Sequence, residues 1–300
     1  MKTLIKRNEI PLHLMLLPGL AVTFIFGYLP LAGLIVGFQR FIPARGLFGK
    51  QQWVGLDNFN LIFSMPNTPN VIRNTIIIAF GKIVLGLLIP IVVTLLLNEI
   101  RSNGIKRTVQ TIIYFPYFIS WVVYAALLQD LLSPSSGLVN QFIALLGAKP
   151  IFFLGDNRYF QGTVIITDIL KNFGYGTVVY MAAITGIDPN LYEAAEIDGA
   201  GRWRQTWHIT LPGLQMVIVL MMVLSLGNVL NAGFDQIFNM YNKYVYETGD
   251  ILDTMMYRMG LEQAMFGPST AMGFFKSMVS LVFISVSYFI AYKAFDYRIF

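Results

Sequence analysis

Six long apolar runs constrain this chain more than any other feature. They cover roughly residues 12–38, 72–97, 108–132, 160–186, 211–231 and 271–295. A helix needs about 20 mostly apolar residues to cross the hydrocarbon layer, and each run is long enough. Backbone groups in lipid must be satisfied within the protein, so runs of this length are helices. Barrel strands would be much shorter and would alternate. Composition agrees: 56% of the 300 residues are hydrophobic and only 12% are charged, against about a quarter charged in a soluble domain. The expected fold is all-α, a polytopic membrane protein with six transmembrane helices in one domain over 1–300.

Basic residues set the orientation. Lys2, Lys6 and Arg7 precede the first run, and Arg101, Lys106 and Arg107 lie between the second and third. Short loops rich in Lys and Arg stay on the cytoplasmic side. With the N-terminus inside, the fourth span ends inside, so segment 187–210 is cytoplasmic. Six spans also return the C-terminus, with Lys293 and Arg298, to that side. The bias from Arg40, Arg45 and Lys50 in the longer 39–70 loop is modest. The net charge of +5 suits loops facing anionic lipid rather than nucleic acid. The start MKTLIKRNEI is basic like a signal peptide, but no small-residue cleavage site follows a short apolar core. It reads as a retained first helix. Pro18, Gly19, Gly27 and Pro30 predict a kink in that helix. Outside the membrane, Leu138, Phe142, Leu145 and Leu146 form an apolar stripe that predicts a short helix lying on the outer face.

The most polar helix-prone interval between two apolar runs is LYEAAEIDGAGRWRQTWHITLP, from Leu191 to Pro212. Asp188 and Pro189 stand where an N-cap and first helical residue belong. Gly199 and Gly201 break the helix, residues from Arg202 to His208 suit a second short one, and Pro212 opens the next run. This predicts a helix–turn–helix hairpin over 187–210 at the membrane surface.

Glu193-Ala194-Ala195, Asp198-Gly199-Ala200, Ile209 and Leu211-Pro212 resemble the "EAA" signature of permease subunits of bacterial ABC importers. Trp207 stands where that pattern usually has Phe. LPGLAVTFIFGYLPLAGLIVGFQRF, LLLNEIRS and FDQIFNMYNKYVYETGDILDT extend the resemblance over nearly the whole chain, towards the oligosaccharide-importing, maltose-permease-like subfamily. The resemblance implies a type I ABC importer permease fold in a bacterial cytoplasmic membrane. It implies that the hairpin couples to a cytoplasmic ATPase through Glu193, Ala194, Ala195, Asp198, Gly199, Ala200, Arg202, Leu211 and Pro212. It further implies a second homologous permease, two ATPase subunits carrying ATP and Mg, and an extracytoplasmic solute-binding protein that delivers sugar. No cofactor is expected in this chain itself.

Polar residues inside spans are costly and usually face the protein interior or a water-filled path. Asn228, Asn231 and Asp235 recur at helical spacing in the fifth run. Asp168, Lys171, Asn172 and Tyr175 do so in the fourth, where Gly174 and Gly176 permit close approach. Amides, carboxylates and aromatic faces suit a sugar, so these two sets are candidates for the substrate path. The alternative is that they only bond neighbouring helices. Lys171 suits either a uronate or an ion pair with Asp168 one turn away. Lys276, near a span end, is expected to snorkel.

Catalysis is not expected here. No G-x-x-x-x-G-K-[ST] phosphate loop occurs. Cysteine is absent, which removes thiolate chemistry. His13 and His208 are far apart, so no metal or triad site is expected. Two other readings compete: an ion-gradient-driven secondary transporter, which predicts inverted repeats and several buried acids, and a regulatory or channel subunit. No repeat is visible, and Asp168 is the only acid well inside a span.

Overall fold

The computed structural model describes residues 10–295. Lys2, Lys6, Arg7 and Arg298, used above for orientation, lie outside the described residues. Among the described residues the regular elements are helices apart from one small hairpin. In order the helices are α1 (Ile10–Thr23), α2 (Asp57–Ser64), α3 (Thr68–Asn98), α4 (Asn103–Tyr114), α5 (Trp121–Leu131), α6 (Leu138–Leu145), α7 (Asn157–Thr185), α8 (Pro189–Ile197), α9 (Arg202–Gln205), α10 (Leu211–Leu226), α11 (Phe234–Met240), α12 (Tyr246–Gly249), α13 (Leu252–Tyr257) and α14 (Phe266–Phe295).

Starts are fixed by side-chain caps. Ser120 accepts from the Val123 N–H at 3.3 Å, Asp156 from Arg158 at 2.8 Å, and Asp188 from Asn190 at 3.0 Å. Each satisfies an amide that a helix N-terminus leaves open. Two prolines follow widened turns. A π turn over Phe24–Tyr28 precedes Pro30, and another over Thr206–Thr210 precedes Pro212. In each, the next N–H reaches back five residues, Leu29 to Phe24 and Leu211 to Thr206. The proline ring would otherwise crowd a carbonyl of the preceding turn.

Among the described residues four helices are long and apolar enough to cross a membrane: His13–Phe38, Thr68–Asn98, Arg202–Leu226 and Phe266–Lys293. A fifth span results if Asn103–Phe118 and Trp121–Leu131 are taken together, although they meet at a bend of 104°. α7 has spanning length, 29 residues, but its Asp, Lys and Asn residues make it less apolar. Two boundaries differ from the sequence expectation. The short helix expected over Arg202–His208 is the first part of a continuous 25-residue helix, because the π turn carries the chain past Pro212. The fifth run does not stay helical to residue 231: α10 stops at Leu226.

The chain divides into two compact units. One comprises Met1–Met65 and Met256–Phe275. In it β1 (Gln39–Arg40) pairs antiparallel with β2 (Gln52–Trp53), with Gln39 opposite Trp53. Phe38 stacks on Trp53 at 5.8 Å and meets Phe59 and Phe274. Asn58 fastens this corner by donating to the Gly37 and Gln39 carbonyls.

The other unit comprises Pro66–Met255 and Lys276–Phe300. Its most extensive helix pair is α3 with α7. Gly176 of α7 lets α3 approach closely and Gly174 lets α4 do so, the close approach expected of both glycines. A Cβ on Gly174 would lie 2.2 Å from the Ile113 carbonyl oxygen, and one on Gly176 2.8 Å from the Pro90 ring. Ile78, Phe160, Val164, Ala232 and Ile237 form the buried core. Asn74 ties its polar edge, donating to the Glu247 and Asp250 carbonyls and accepting from Gln161.

Candidate functional site

The hairpin is built almost wholly from local rules. α8 closes in a Schellman turn: the Gly199 N–H bonds the Glu196 carbonyl at 3.0 Å, and the Ala200 N–H bonds the Ala195 carbonyl at 2.8 Å. Gly199 takes φ +71, the left-handed conformation such a turn needs and a Cβ disfavours. Two bonds hold the arms: Tyr192 Oη to Thr210 Oγ1 at 3.0 Å, and Gln205 donating to the Ala200 carbonyl. Arg202 reaches back to Glu99 at the end of α3, at 2.7 Å. Glu193, Ala194, Asp198 and Gly199 are exposed, Ala195, Ala200 and Leu211 partly so, and Pro212 is exposed. The sequence reading missed Ile197, which stands 87% exposed at the end of α8. An apolar side chain so open at a hairpin tip is the signal that marks a contact surface.

The polar residues of the spans separate into two clusters. Asn228 and Asn231 are exposed in the irregular stretch after α10 and line a cavity of about 410 Å³ with Lys276, Ser277 and Ser280. Asp235 does not share this cavity. It opens α11 beyond the break, so the three residues expected on one helical face lie on two segments. Lys276 does not snorkel: its ammonium meets the Asp253 carboxylate. Ser277 and Ser280 were not singled out from sequence, and Lys276 was read only as a lysine near a span end. Their spacing at i, i+1 and i+4 on the last span is the signal that marks a polar face.

The second cluster sits on α7. Asp168 does not pair with Lys171. Its carboxylate meets Lys82 of α3 at 3.1 Å. Lys171 is buried and donates to the Tyr117 carbonyl at 2.9 Å, lying over the Tyr117 and Trp121 rings. Tyr175 is exposed and stacks on Tyr117 with centroids 4.9 Å apart, and Asn172 is half-buried beside it. This aromatic shelf with an amide at its edge is suited to the C–H face of a sugar ring.

Comparison with known proteins decides the family. Residues 10–300 match the family described as binding-protein-dependent transport system inner membrane component. This chain belongs to that family. Permeases of the family work with a second permease and with ATPase subunits that are separate chains, so an ion-gradient-driven transporter is set aside. The permease is 40% identical over 282 residues to the polygalacturonan/rhamnogalacturonan transport system permease protein YteP of Bacillus subtilis (strain 168), covering 94% of this chain and 88% of that one. It is 39% identical to Protein LplB of the same organism, covering 95% and 89%. Among solved structures it resembles a chain of a bacterial ABC transporter involved in the import of the acidic polysaccharide alginate. That match has TM-score 0.88 and 36% identity, and covers 96% of both chains. A second such structure, in complex with the alginate pentasaccharide-bound periplasmic protein, matches at TM-score 0.88 and 35% identity. The type I ABC permease fold expected from sequence is thus the fold this permease has.

Proposed function

We propose that this permease is one half of the membrane path of an ATP-driven importer for acidic oligosaccharides. The observation that carries the substrate reading is the polar cavity beside the fifth and sixth apolar helices. There Asn228, Asn231, Ser277 and Ser280 offer amides and hydroxyls for sugar hydroxyls, beside Lys276, whose ammonium is shared with Asp253. Polygalacturonan and alginate, named for its relatives, are polymers of acidic sugars. Tyr175 and Asn172 form a second wall of the same path, with Asp168 and Lys171 behind it and Asp235 at its end.

In this reading α7 and the bent α4–α5 pair complete six spans, with both termini in the cytoplasm. Chain 187–210 is the coupling hairpin, a cytoplasmic element of a single permease domain. Glu193, Asp198 and Arg202 present charge to the ATPase. Gly199 sets the turn, Ala194, Ala195 and Ala200 keep the contact face shallow, and Leu211-Pro212 begins the next span. ATP draws two ATPase subunits together, the two permeases' hairpins follow, and rigid-body rotation of the spans turns the path outward to receive sugar from the binding protein.

The test is ATP hydrolysis by the reconstituted complex with a binding protein carrying oligogalacturonides or neutral malto-oligosaccharides. Stimulation by the acidic ligand is expected. Stimulation by the neutral ligand alone would overturn the acidic class, and an ATPase that never co-purifies would overturn the importer.

A further inference from the structure

Two helices in the second unit are broken in the middle of otherwise apolar sequence, and both breaks are held by lysines from other helices. The first break is the 104° bend between Phe118 and Trp121. The second is the stretch between Leu226 and Phe234, where Gly233 takes φ +91. A break inside lipid exposes the last carbonyls of one segment and the first amides of the next, with no water to satisfy them. At the first break Ser120 caps the amide side, and the Lys171 ammonium meets the Tyr117 carbonyl. At the second, Lys82 donates to the Ala232 carbonyl at 2.7 Å. A cation is the suitable partner for carbonyls at a helix C-terminus.

The two sites are joined through α7. An ammonium has three donors, and Lys82 uses all three: on the Ala232 carbonyl, on Gln236 Oε1 and on the Asp168 carboxylate. Gln236, itself fully buried, sends its amide to the Val164 carbonyl at 2.8 Å and to Thr167 Oγ1 at 3.0 Å. Val164, Thr167, Asp168 and Lys171 are successive turns of one helix. The same helix runs without interruption to Thr185, three residues before the cap of the hairpin.

We propose that Lys82, Gln236, Asp168 and Lys171 form a polar brace that locks both helix breaks to α7, so that movement of the hairpin end of α7 carries both breaks together. The idea rests on the importer reading above. It makes Lys82 and Gln236 positioning residues, which set the place of the Asn228–Asn231 segment without meeting sugar. The lysines are consumed by backbone carbonyls, so they shape the path rather than bind an acidic substrate directly.

Two measurements test it on the complete complex. The first uses the absence of cysteine: spin labels at Phe118→Cys and Phe238→Cys report the separation of the two breaks by electron–electron resonance. With the breaks braced, this separation stays within about 2 Å between nucleotide-free and ATP-trapped states. A change of more than about 5 Å, as for independent gates, overturns the brace. The second is the double variant Lys82→Met with Asp168→Leu, which removes both members of the ion pair and leaves Lys171 on the Tyr117 carbonyl. Removing both members of a buried pair is far better tolerated than removing one, so this variant assembles. The proposal expects sugar-stimulated ATP hydrolysis to fall about tenfold or more towards the unstimulated rate, with half-saturation for the loaded binding protein unmoved. Wild-type stimulation in the double variant, or a shift in half-saturation alone, overturns the positioning role. If the double variant does not assemble, the labelled pair alone decides. Failure of the importer reading looks different, because the unmutated complex would then show no stimulation at all.

Discussion

The hairpin and the middle of α7 adjoin in sequence and are built on opposite terms. The hairpin is exposed, its two arms are joined by bonds within 18 residues, and it is shaped by local chemistry: an Asp cap, a proline at the first position and a glycine at φ +71. The middle of α7 is buried and held by partners 54 to 86 residues away, such as Tyr117 and Lys82. The hairpin can be altered without endangering the fold. The α7 face cannot be altered without moving its neighbours.

Two glycines put this contrast to its hardest test. Gly174→Val places a side chain where a Cβ already meets backbone, 2.2 Å from the Ile113 carbonyl and 3.1 Å from Tyr114 Cα. Backbone on a packed helix cannot step aside, and overpacking of this kind costs several kcal/mol. The expected result is loss of the assembled complex, read as the monodisperse peak in size-exclusion chromatography. Gly199→Val meets no atom within 4 Å and suffers only the left-handed backbone, about 1–2 kcal/mol. That complex should assemble normally but lose sugar-stimulated ATP hydrolysis, because the hairpin tip is re-aimed. Gly199→Asn, which tolerates the left-handed region, should keep most of it. Equal activity of the Val and Gly forms would remove the turn from the coupling mechanism.

The next effect in size concerns the cavity. Asn228→Leu with Asn231→Leu removes two exposed amides, each with one local backbone bond, to the Leu224 carbonyl and from the Gly233 N–H. Assembly should be untouched. Uptake of acidic oligosaccharide should drop by roughly thirtyfold, since two lost hydrogen bonds to a sugar at about 1 kcal/mol each total about 2 kcal/mol. Unchanged uptake would return these residues to helix packing and leave the aromatic shelf at Tyr175 as the sugar contact.

The same contrast explains what the sequence could say. Asp188, Pro189, Gly199 and Pro212 carry their meaning within a few residues, so the hairpin and the cap of α8 were legible. Long apolar runs likewise gave the helices. Three things were not legible. The bend at Phe118–Trp121 lies inside an uninterrupted apolar run, with only Pro116 and Ser120 to hint at it. The irregular stretch after α10 is held by Lys82, more than a hundred residues earlier, reaching the Ala232 carbonyl. The partner of Asp168 was not foreseen, because Lys171, one turn away on the same helix, was the cation visible at short range. Charges inside lipid choose partners by depth and facing helix, and one-dimensional spacing does not encode that.

The smallest expected effect lies where the hairpin meets a helix distant in sequence. Arg202 at the hairpin base bonds Glu99 at the end of α3 at 2.7 Å, with side chains 55% and 43% exposed. Water and salt screen such a pair, and exposed pairs are typically worth about 0.2–1 kcal/mol. Glu99→Gln should therefore shift the thermal midpoint of the complex by no more than a degree or two and leave transport near wild type. Arg202→Ala should match it if the arginine serves only α3. A loss of stimulated ATP hydrolysis in Arg202→Ala but not in Glu99→Gln would show that the guanidinium serves the ATPase, and that the boundary between the local and the long-range region runs through this one side chain.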